Sequence, residues 1–340
     1  MDLESLCKFL PELTNLFLRR YELLDHIKRN PGIGRRILSE KMNVSERTIR
    51  EEIEVLKEQD FIHVTSAGTQ ITDNGKTFLS QYHKEYAASN QMEKLSLQVQ
   101  EALEVEKVIV VKGDSEKNPY DMSKLGLLGG EVLMNHLQKG DYIGITGGRT
   151  MYSIAKEMKE RKFQDVTFIP ARGGLGYSAE VQANSIVVLM ASKLCAEYKL
   201  LTIPDGIGKE ALDLLLKNKE VSEVYRAIEQ LDVLAFGIGR ADKMSEKRGM
   251  SSSQRNIILQ QGAVGEAFGH YFCQDGKEVY RQDSVGLTLE DFLNIPKVIG
   301  FAGGKEKAQA IIAISTLRSK MILVMDESAA KEIVNVCRRI

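Results

Sequence analysis

Tyr142-Ile143-Gly144-Ile145-Thr146-Gly147-Gly148-Arg149-Thr150 decides the fold class. A short apolar run enters a glycine pair and continues into a helical stretch. Glycines at such a turn let backbone N–H groups approach an anion, and the N-terminus of the following helix adds positive partial charge. The spacing fits neither a Walker loop nor a dinucleotide fingerprint.

Outward from this stretch, the same rhythm of strand, loop and helix fills the chain from residue 107. Apolar runs at 108–111, 142–145, 166–169, 199–203, 233–236, 298–301 and 321–325 alternate with helical stretches such as 125–137, 179–196 and 305–314. Apolar strands alternating with helices predict a Rossmann-like α/β unit, a parallel sheet covered on both faces. One insert breaks the rhythm, a hairpin from Phe268 through Asp275-Gly276 to Val279 and beyond.

Four further loops carry glycine or polar clusters. They are Arg172-Gly173-Gly174-Leu175-Gly176, Gly237-Ile238-Gly239-Arg240, Gly265-Glu266 and Ala302-Gly303-Gly304-Lys305-Glu306-Lys307. Each alone is explained by turn geometry. Together they matter more, because loops at the carboxyl ends of parallel strands converge on one crevice. Arg149, Arg172 and Lys307 are the candidate cations for phosphate, although Lys307 reads equally well as a solvated helix lysine. Gln182 and Glu266 are the candidate partners for sugar hydroxyls. His26, His63, His83, His136 and His270 are scattered, without a metal-binding pair at helical spacing. In an extended run His270 shares a face with Glu266 and Phe268. An acid–base pair is one reading and packing beside Phe268 and Phe272 the other.

Before residue 90 the texture is helical. Residues 35–42 form a short helix, Asn43-Val44 a turn, and Ser45 caps a third helix whose apolar face is Ile49, Ile53 and Leu56. A hairpin around Ser66-Ala67-Gly68 makes this a winged helix-turn-helix. Seven basic residues (Lys28, Arg29, Arg35, Arg36, Lys41, Arg47, Arg50) face two acids (Glu40, Glu46) before the sign reverses at Glu51, Glu52, Glu54, Glu58 and Asp60. Positive charge thus gathers at the start of the third helix. Arg35, Arg36, Ser45, Arg47, Thr48 and Arg50 are the candidate DNA contacts. A winged helix that binds protein is the competing reading. Residues 87–106 read as a separate amphipathic helix joining the parts, either paired with another chain or packed on its own domain. The expected division is 1–88 and 89–340.

The 340 residues are 43% hydrophobic and 27% charged, which excludes a disordered or fibrous chain. A formal net charge of −1 excludes a uniformly basic coat protein, but not a local basic patch. Four widely spaced cysteines point to a reduced compartment. With no apolar run of about 18 residues and no signal-peptide pattern, the expected location is the cytoplasm.

The winged helix, Thr146-Gly147-Gly148, Pro170-Ala171-Arg172-Gly173-Gly174-Leu175-Gly176, Gln182-Ala183-Asn184, Glu266-Ala267-Phe268-Gly269 and Ala302-Gly303-Gly304 occur in one chain. That combination closely resembles the SorC/DeoR-type bacterial transcriptional regulators with sugar-binding domains. The resemblance implies a tetrameric repressor of genes for the triose-phosphate part of glycolysis, bound to operator DNA and relieved by fructose 1,6-bisphosphate. It implies an effector domain similar in fold to phosphosugar isomerases and deaminases, with no cofactor besides the effector. The implied effector contacts are Gly148, Arg149, Thr150, Arg172, Gln182, Arg248, Glu266 and Lys307. One position departs: Arg149 stands where the family commonly has Thr. A phosphosugar isomerase or deaminase fused to a DNA-binding domain, using Glu266 and His270, is the alternative.

Overall fold

The computed structural model describes residues 11–42, 44–65, 68–173, 178–203, 207–282 and 285–338. The chain divides into two compact units that meet at Gln91 and Met92. Asn43, Ser66-Ala67 and Gly174-Leu175-Gly176, named above as turn or loop residues, lie outside the described residues.

In the first unit, α1 (Pro11–Arg29), α2 (Arg35–Met42) and α3 (Glu46–Glu58) precede the antiparallel pair β1 (Ile62–Thr65) and β2 (Gly68–Ile71). Ser45 has extended backbone, and its side chain accepts the Thr48 N–H at 3.1 Å, satisfying a donor left over by the first turn of α3. Ile49, Ile53 and Leu56 are buried with Leu23, Leu24, Ile27, Leu38, Ile62 and Leu79. The Gly32 N–H donates to Thr69 O at 2.9 Å, fastening the wing to the α1–α2 turn. Gly68, at φ +108°, lies so close to Gly32 that a Cβ there would overlap its carbonyl. Glu52, within the acidic run that follows the basic stretch, turns inward. It is buried and accepts from Arg19 Nη2 at 2.7 Å and from Arg20 Nε at 2.5 Å.

A single helix, α4 (Asp73–Leu103), takes in most of the separate helix expected over 87–106 and begins well before it. In the second unit it is followed by β3 (Lys107–Val111), α5 (Pro119–Met134), β4 (Tyr142–Ile145), α6 (Arg149–Glu157) and β5 (Thr167–Pro170). A 3₁₀ turn at Ala179–Val181 leads to α7 (Ala183–Leu194) and β6 (Glu197–Tyr198). Next come α8 (Lys209–Leu215), α9 (Lys219–Glu229), β7 (Val233–Gly237), β8 (Gly239–Arg240), α10 (Ala241–Lys247) and α11 (Ser252–Gln260). The chain continues through β9 (Gly265–Ala267), β10 (His270–Phe272), β11 (Glu278–Arg281), α12 (Leu289–Asn294) and β12 (Lys297–Ala302). After a second 3₁₀ turn, Lys305–Lys307, it ends in α13 (Ala308–Ser315), β13 (Ile322–Asp326) and α14 (Glu327–Cys337).

The main sheet has the order β3-β13-β12-β7-β4-β5-β6, and every pairing is parallel. Its strands alternate between two cores, as period-two geometry requires. Val233, Ala235, Ile299, Ile322 and Val324 pack with α5, α6 and α7. Leu234, Phe236, Val298, Leu323 and Met325 pack with α4, α13 and α14. The insert is larger than the expected hairpin, an antiparallel sheet of order β11-β10-β9-β8. Residues 199–203 form no strand. The Asn184 amide satisfies that backbone instead, donating to Leu201 O at 2.9 Å and accepting Leu201 N–H at 3.1 Å. The helix expected over 179–196 breaks at Gln182, whose backbone is extended. Among the described residues no helix is long and apolar enough to cross a membrane.

All parallel strands point their carboxyl ends the same way, and the chain reverses its direction of travel between the neighbours β4 and β7. The crevice is therefore expected there. Asp326, fully buried at the end of β13, fixes its far side. Its Oδ2 accepts Ser115 N–H at 2.8 Å, Ser115 O–H at 2.6 Å and Gly304 N–H at 2.7 Å. Its Oδ1 accepts Ser328 O–H and Ala329 N–H, both at 2.9 Å. Removing this carboxylate would leave three backbone donors without their acceptor, each worth roughly 1–3 kcal/mol when buried. Asp326→Ala should lower the unfolding free energy of the second unit by about 3 kcal/mol in urea titrations. A loss below about 1 kcal/mol would contradict this.

Candidate functional site

The loops after β3, β4 and β12 form one side of the crevice. Thr146 Oγ1 accepts Gly237 N–H at 3.1 Å, joining the loops after β4 and β7 at the switch point. Gly148, at φ +122°, begins α6 with no side-chain cap. Its own N–H is engaged, donating to Val181 O at 2.9 Å, so the donors offered by this turn are those further into α6. Thr150 is buried there. The Lys305–Lys307 turn begins at Gly304, φ +96°, also without a side-chain cap. Elsewhere Ser45, Asn118, Asn218, Ser251, Thr288 and Asp326 cap α3, α5, α9, α11, α12 and α14. The uncapped starts thus include the two whose glycine loops face the crevice, and an uncapped start leaves N–H donors and positive partial charge for an anion.

Arg149 is largely exposed, and its Nη2 lies 3.8 Å from Glu116 Oε1. Lys307 is half-buried. That burial pushes its pKa down to about 8; the nearby Arg149 and Lys247 act the same way, while Glu116 and Asp326 oppose the shift. Lys247, at the end of α10, is likewise pulled down, by partial burial first and then by Arg149. Sequence reasoning missed Glu116, Lys247 and Asp326. Their loops lack a glycine pair, so only position at a strand or helix end could have marked them.

The small sheet carries a second charged group. Glu266 Oε1 accepts from Arg248 Nη2 at 2.6 Å and from Gly269 N–H at 2.8 Å, and Arg172 Nη1 stands 3.5 Å away. These three side chains are all buried. Gly269, φ +86°, sits so close to Arg172 that a Cβ would crowd the guanidinium. Gln182 stands at the start of α7 without a side-chain cap bond.

Glu266 and His270 do not form an acid–base pair. The chain is not extended between them; Phe268 and Gly269, both at positive φ, turn it back. The register then sets Glu266 against Tyr271 and Ala267 against His270, so the two side chains lie on opposite faces. His270 pairs instead with Glu278 through Nδ1 at 2.9 Å and stacks on Phe272. Burial lowers its pKa despite Glu278, keeping the ring neutral near pH 7. Tyr271, also missed by sequence reasoning, is fully buried, and its hydroxyl has no hydrogen-bond partner among the described residues. Burial raises its pKa well above the phenol range, so it remains a donor. Among the described residues no group of three or more His, Cys, Asp or Glu is placed to hold a metal ion.

In the winged helix, Arg35, Arg36, Arg47 and Arg50 are exposed. Arg47 Nε lies 3.0 Å from Glu51 and Arg36 Nε 3.4 Å from Glu40, one helical turn on in each case. Ser45 and Thr48 are less available than expected. Their hydroxyls lie 2.8 Å apart, and Ser45 also caps α3.

Residues 88–335 match the "Sugar-bind" family model, a sugar-binding domain, and residues 16–85 match the "CggR N-terminal DNA binding domain". Fold and site together therefore define a sugar-binding transcriptional regulator with an N-terminal DNA-binding domain. The chain is 35% identical over 329 residues, 96% of each chain, to the central glycolytic genes regulator of Priestia megaterium, and 34% identical to that of Bacillus subtilis, again over 96% of each. It belongs to the central glycolytic genes regulator family, whose members are regulators and not enzymes. A SorC-family transcriptional regulator from Enterococcus faecalis superposes with a TM-score of 0.67 at 34% identity, covering 71% of this chain and 99% of its own. Full-length SorC from Klebsiella pneumoniae shares the fold over 93% of this chain and 98% of its own, with a TM-score of 0.66 at 17% identity.

The lowered pKa of Lys307 has a consequence for stability. The unfolded chain binds this proton more tightly than the folded one, so the penalty is fully present below about pH 8 and fades as pH rises toward 10.5. Lys307→Met should stabilise the protein at pH 7 by about 1–3 kcal/mol, with wild type closing the gap between pH 8 and 10. A pH-independent difference between the two denaturation curves would contradict it.

Proposed function

We propose that this protein represses glycolytic genes from an operator bound by its winged helix, and that fructose 1,6-bisphosphate in the crevice relieves the repression. One observation carries the reading. Two charged groups stand at the carboxyl ends of one parallel sheet and its insert, Arg149, Lys247 and Lys307 in one and Arg172, Arg248 and Glu266 in the other. A sugar bisphosphate has two anionic ends and hydroxyls between them. Arg149, Thr150 and Lys307 hold one phosphate through the N–H groups at the start of α6 and through their cations, against the side-chain-free turn at Gly148. Arg172, Gln182, Arg248 and Glu266 serve the other end and the sugar.

The DNA contacts are Arg35, Arg36, Arg47 and Arg50, with Ser45 and Thr48 fixing the start of the helix that carries them. The protein acts in the cytoplasm, where its operator is. It assembles as a dimer to tetramer, for which exposed apolar side chains such as Leu214 and Leu215 provide surface. Effector and operator bind to different units, so the effector acts by preferring the conformation or assembly that binds DNA poorly.

An operator selected from a random DNA pool tests the coupling. Saturating fructose 1,6-bisphosphate should weaken operator binding by about tenfold or more, and operator should weaken effector binding by the same factor. Arg50→Ala should lower operator affinity by roughly 1–3 kcal/mol while leaving effector affinity unchanged. Equal effector affinity with and without operator, in calorimetric titrations, would overturn the proposal.

A further inference from the structure

Glu116 is an acid set among the cations on the basic side of the crevice, and its position is built rather than incidental. Its N–H donates to Asp114 Oδ1 at 3.1 Å, and the preceding Ser115 is tied twice to the buried Asp326. The loop is thereby held against Gly304, which is tied to the same Asp326 oxygen. A Cβ on Gly304 would overlap the Glu116 carboxylate, so the carboxylate lies directly on the glycine that begins the Lys305–Lys307 turn. On its other side stands Arg149, the first residue of α6, at 3.8 Å. A carboxylate between two uncapped helical starts occupies the place where an anion is most favoured. Its field also reaches beyond Arg149, to Lys307, Lys247 and Arg240. Of these, Arg240 is already held by Asp242 at 2.7 Å and Glu306 at 3.3 Å, leaving Arg149, Lys247 and Lys307 as the cations Glu116 chiefly serves.

The hold is loose. The Arg149 contact is long, and the Glu116 side chain is 40% exposed. A phosphate dianion brings more charge and three acceptor oxygens to the same donors. Resting on the effector-site reading above, we propose that Glu116 is the resident counter-ion of the empty anion cradle, displaced when an effector phosphate binds. It neutralises the crowded cations while the site is empty. It also makes singly charged anions poor competitors, since they gain little over the carboxylate they must move. Glu116 therefore sets the concentration at which the regulator responds.

Glu116→Gln in the full chain tests this, because the exposed amide keeps the shape and removes the charge. Inorganic phosphate and fructose 1,6-bisphosphate should each bind about fivefold more tightly or better at pH 7. Loss of Glu116 also lowers the proton affinity of Lys307 further. Phosphate binding should then take up more protons at pH 8 than in wild type, seen by calorimetry in buffers of different ionisation heat. A merely structural Glu116 would give neither change. Unchanged or weaker binding by the variant, with wild type still binding, overturns the counter-ion role alone. Absence of binding by both proteins overturns the effector-site reading and this proposal with it, whereas binding by the variant only supports both.

Discussion

The Asp326 carboxylate is the interaction on which the second unit depends. One buried oxygen collects the loop after β3, through Ser115, and the loop after β12, through Gly304, while the other oxygen starts α14. Gly303 must be glycine for this to happen, since a Cβ there would overlap Ser115 Oγ and crowd the carboxylate. Glu116 and Lys307 are brought within electrostatic reach of each other because their loops share that acceptor. The arrangement converts two sequence-distant turns into one wall of the crevice. Because the carboxylate is fully buried and fully used, it contributes position rather than a free charge.

Each unit also contains a buried carboxylate approached by two arginines. In the first, Glu52 joins α1 to α3 through Arg19 and Arg20. In the second, Glu266 joins the small sheet to the loop after β5 and the end of α10 through Arg172 and Arg248. Their partners differ in exposure. Arg19 and Arg20 remain partly in water, whereas Arg172 and Arg248 are buried. Buried guanidiniums are expensive to desolvate and are maintained where specific geometry is needed. That contrast separates a half-exposed tie between two helices of the winged helix from a fully buried one in the second unit.

The fold was legible wherever a period was complete. The alternation of apolar strands with helices gave the parallel sheet, and Ile49, Ile53 and Leu56 gave the buried face of α3. Legibility failed where the backbone left its period. Residues 199–203 look like a strand because they are apolar, but a side-chain amide takes the place of a neighbouring strand. Phe268-Gly269 look like part of an extended run, but their positive φ reverses the chain and separates His270 from Glu266. Residues near the crevice were readable where glycines marked a loop. Glu116, Lys247 and Asp326 carry no such mark, because charge, spacing and burial become visible only when the loops are folded together. Glu52 shows the same limit, an acid in an acidic run that turns inward.

The central claim is that the uncapped starts of α6 and the Lys305–Lys307 turn, with their cations, form an anion cradle that Glu116 fills when it is empty. A crystal structure of the full chain with fructose 1,6-bisphosphate examines this most directly. The account places one phosphate at Gly148–Thr150 and Lys307, the other end beside Arg172 and Arg248, and the Glu116 carboxylate turned away from Gly304. A bisphosphate bound elsewhere, or bound with Glu116 still lying on Gly304 and beside Arg149, would contradict it.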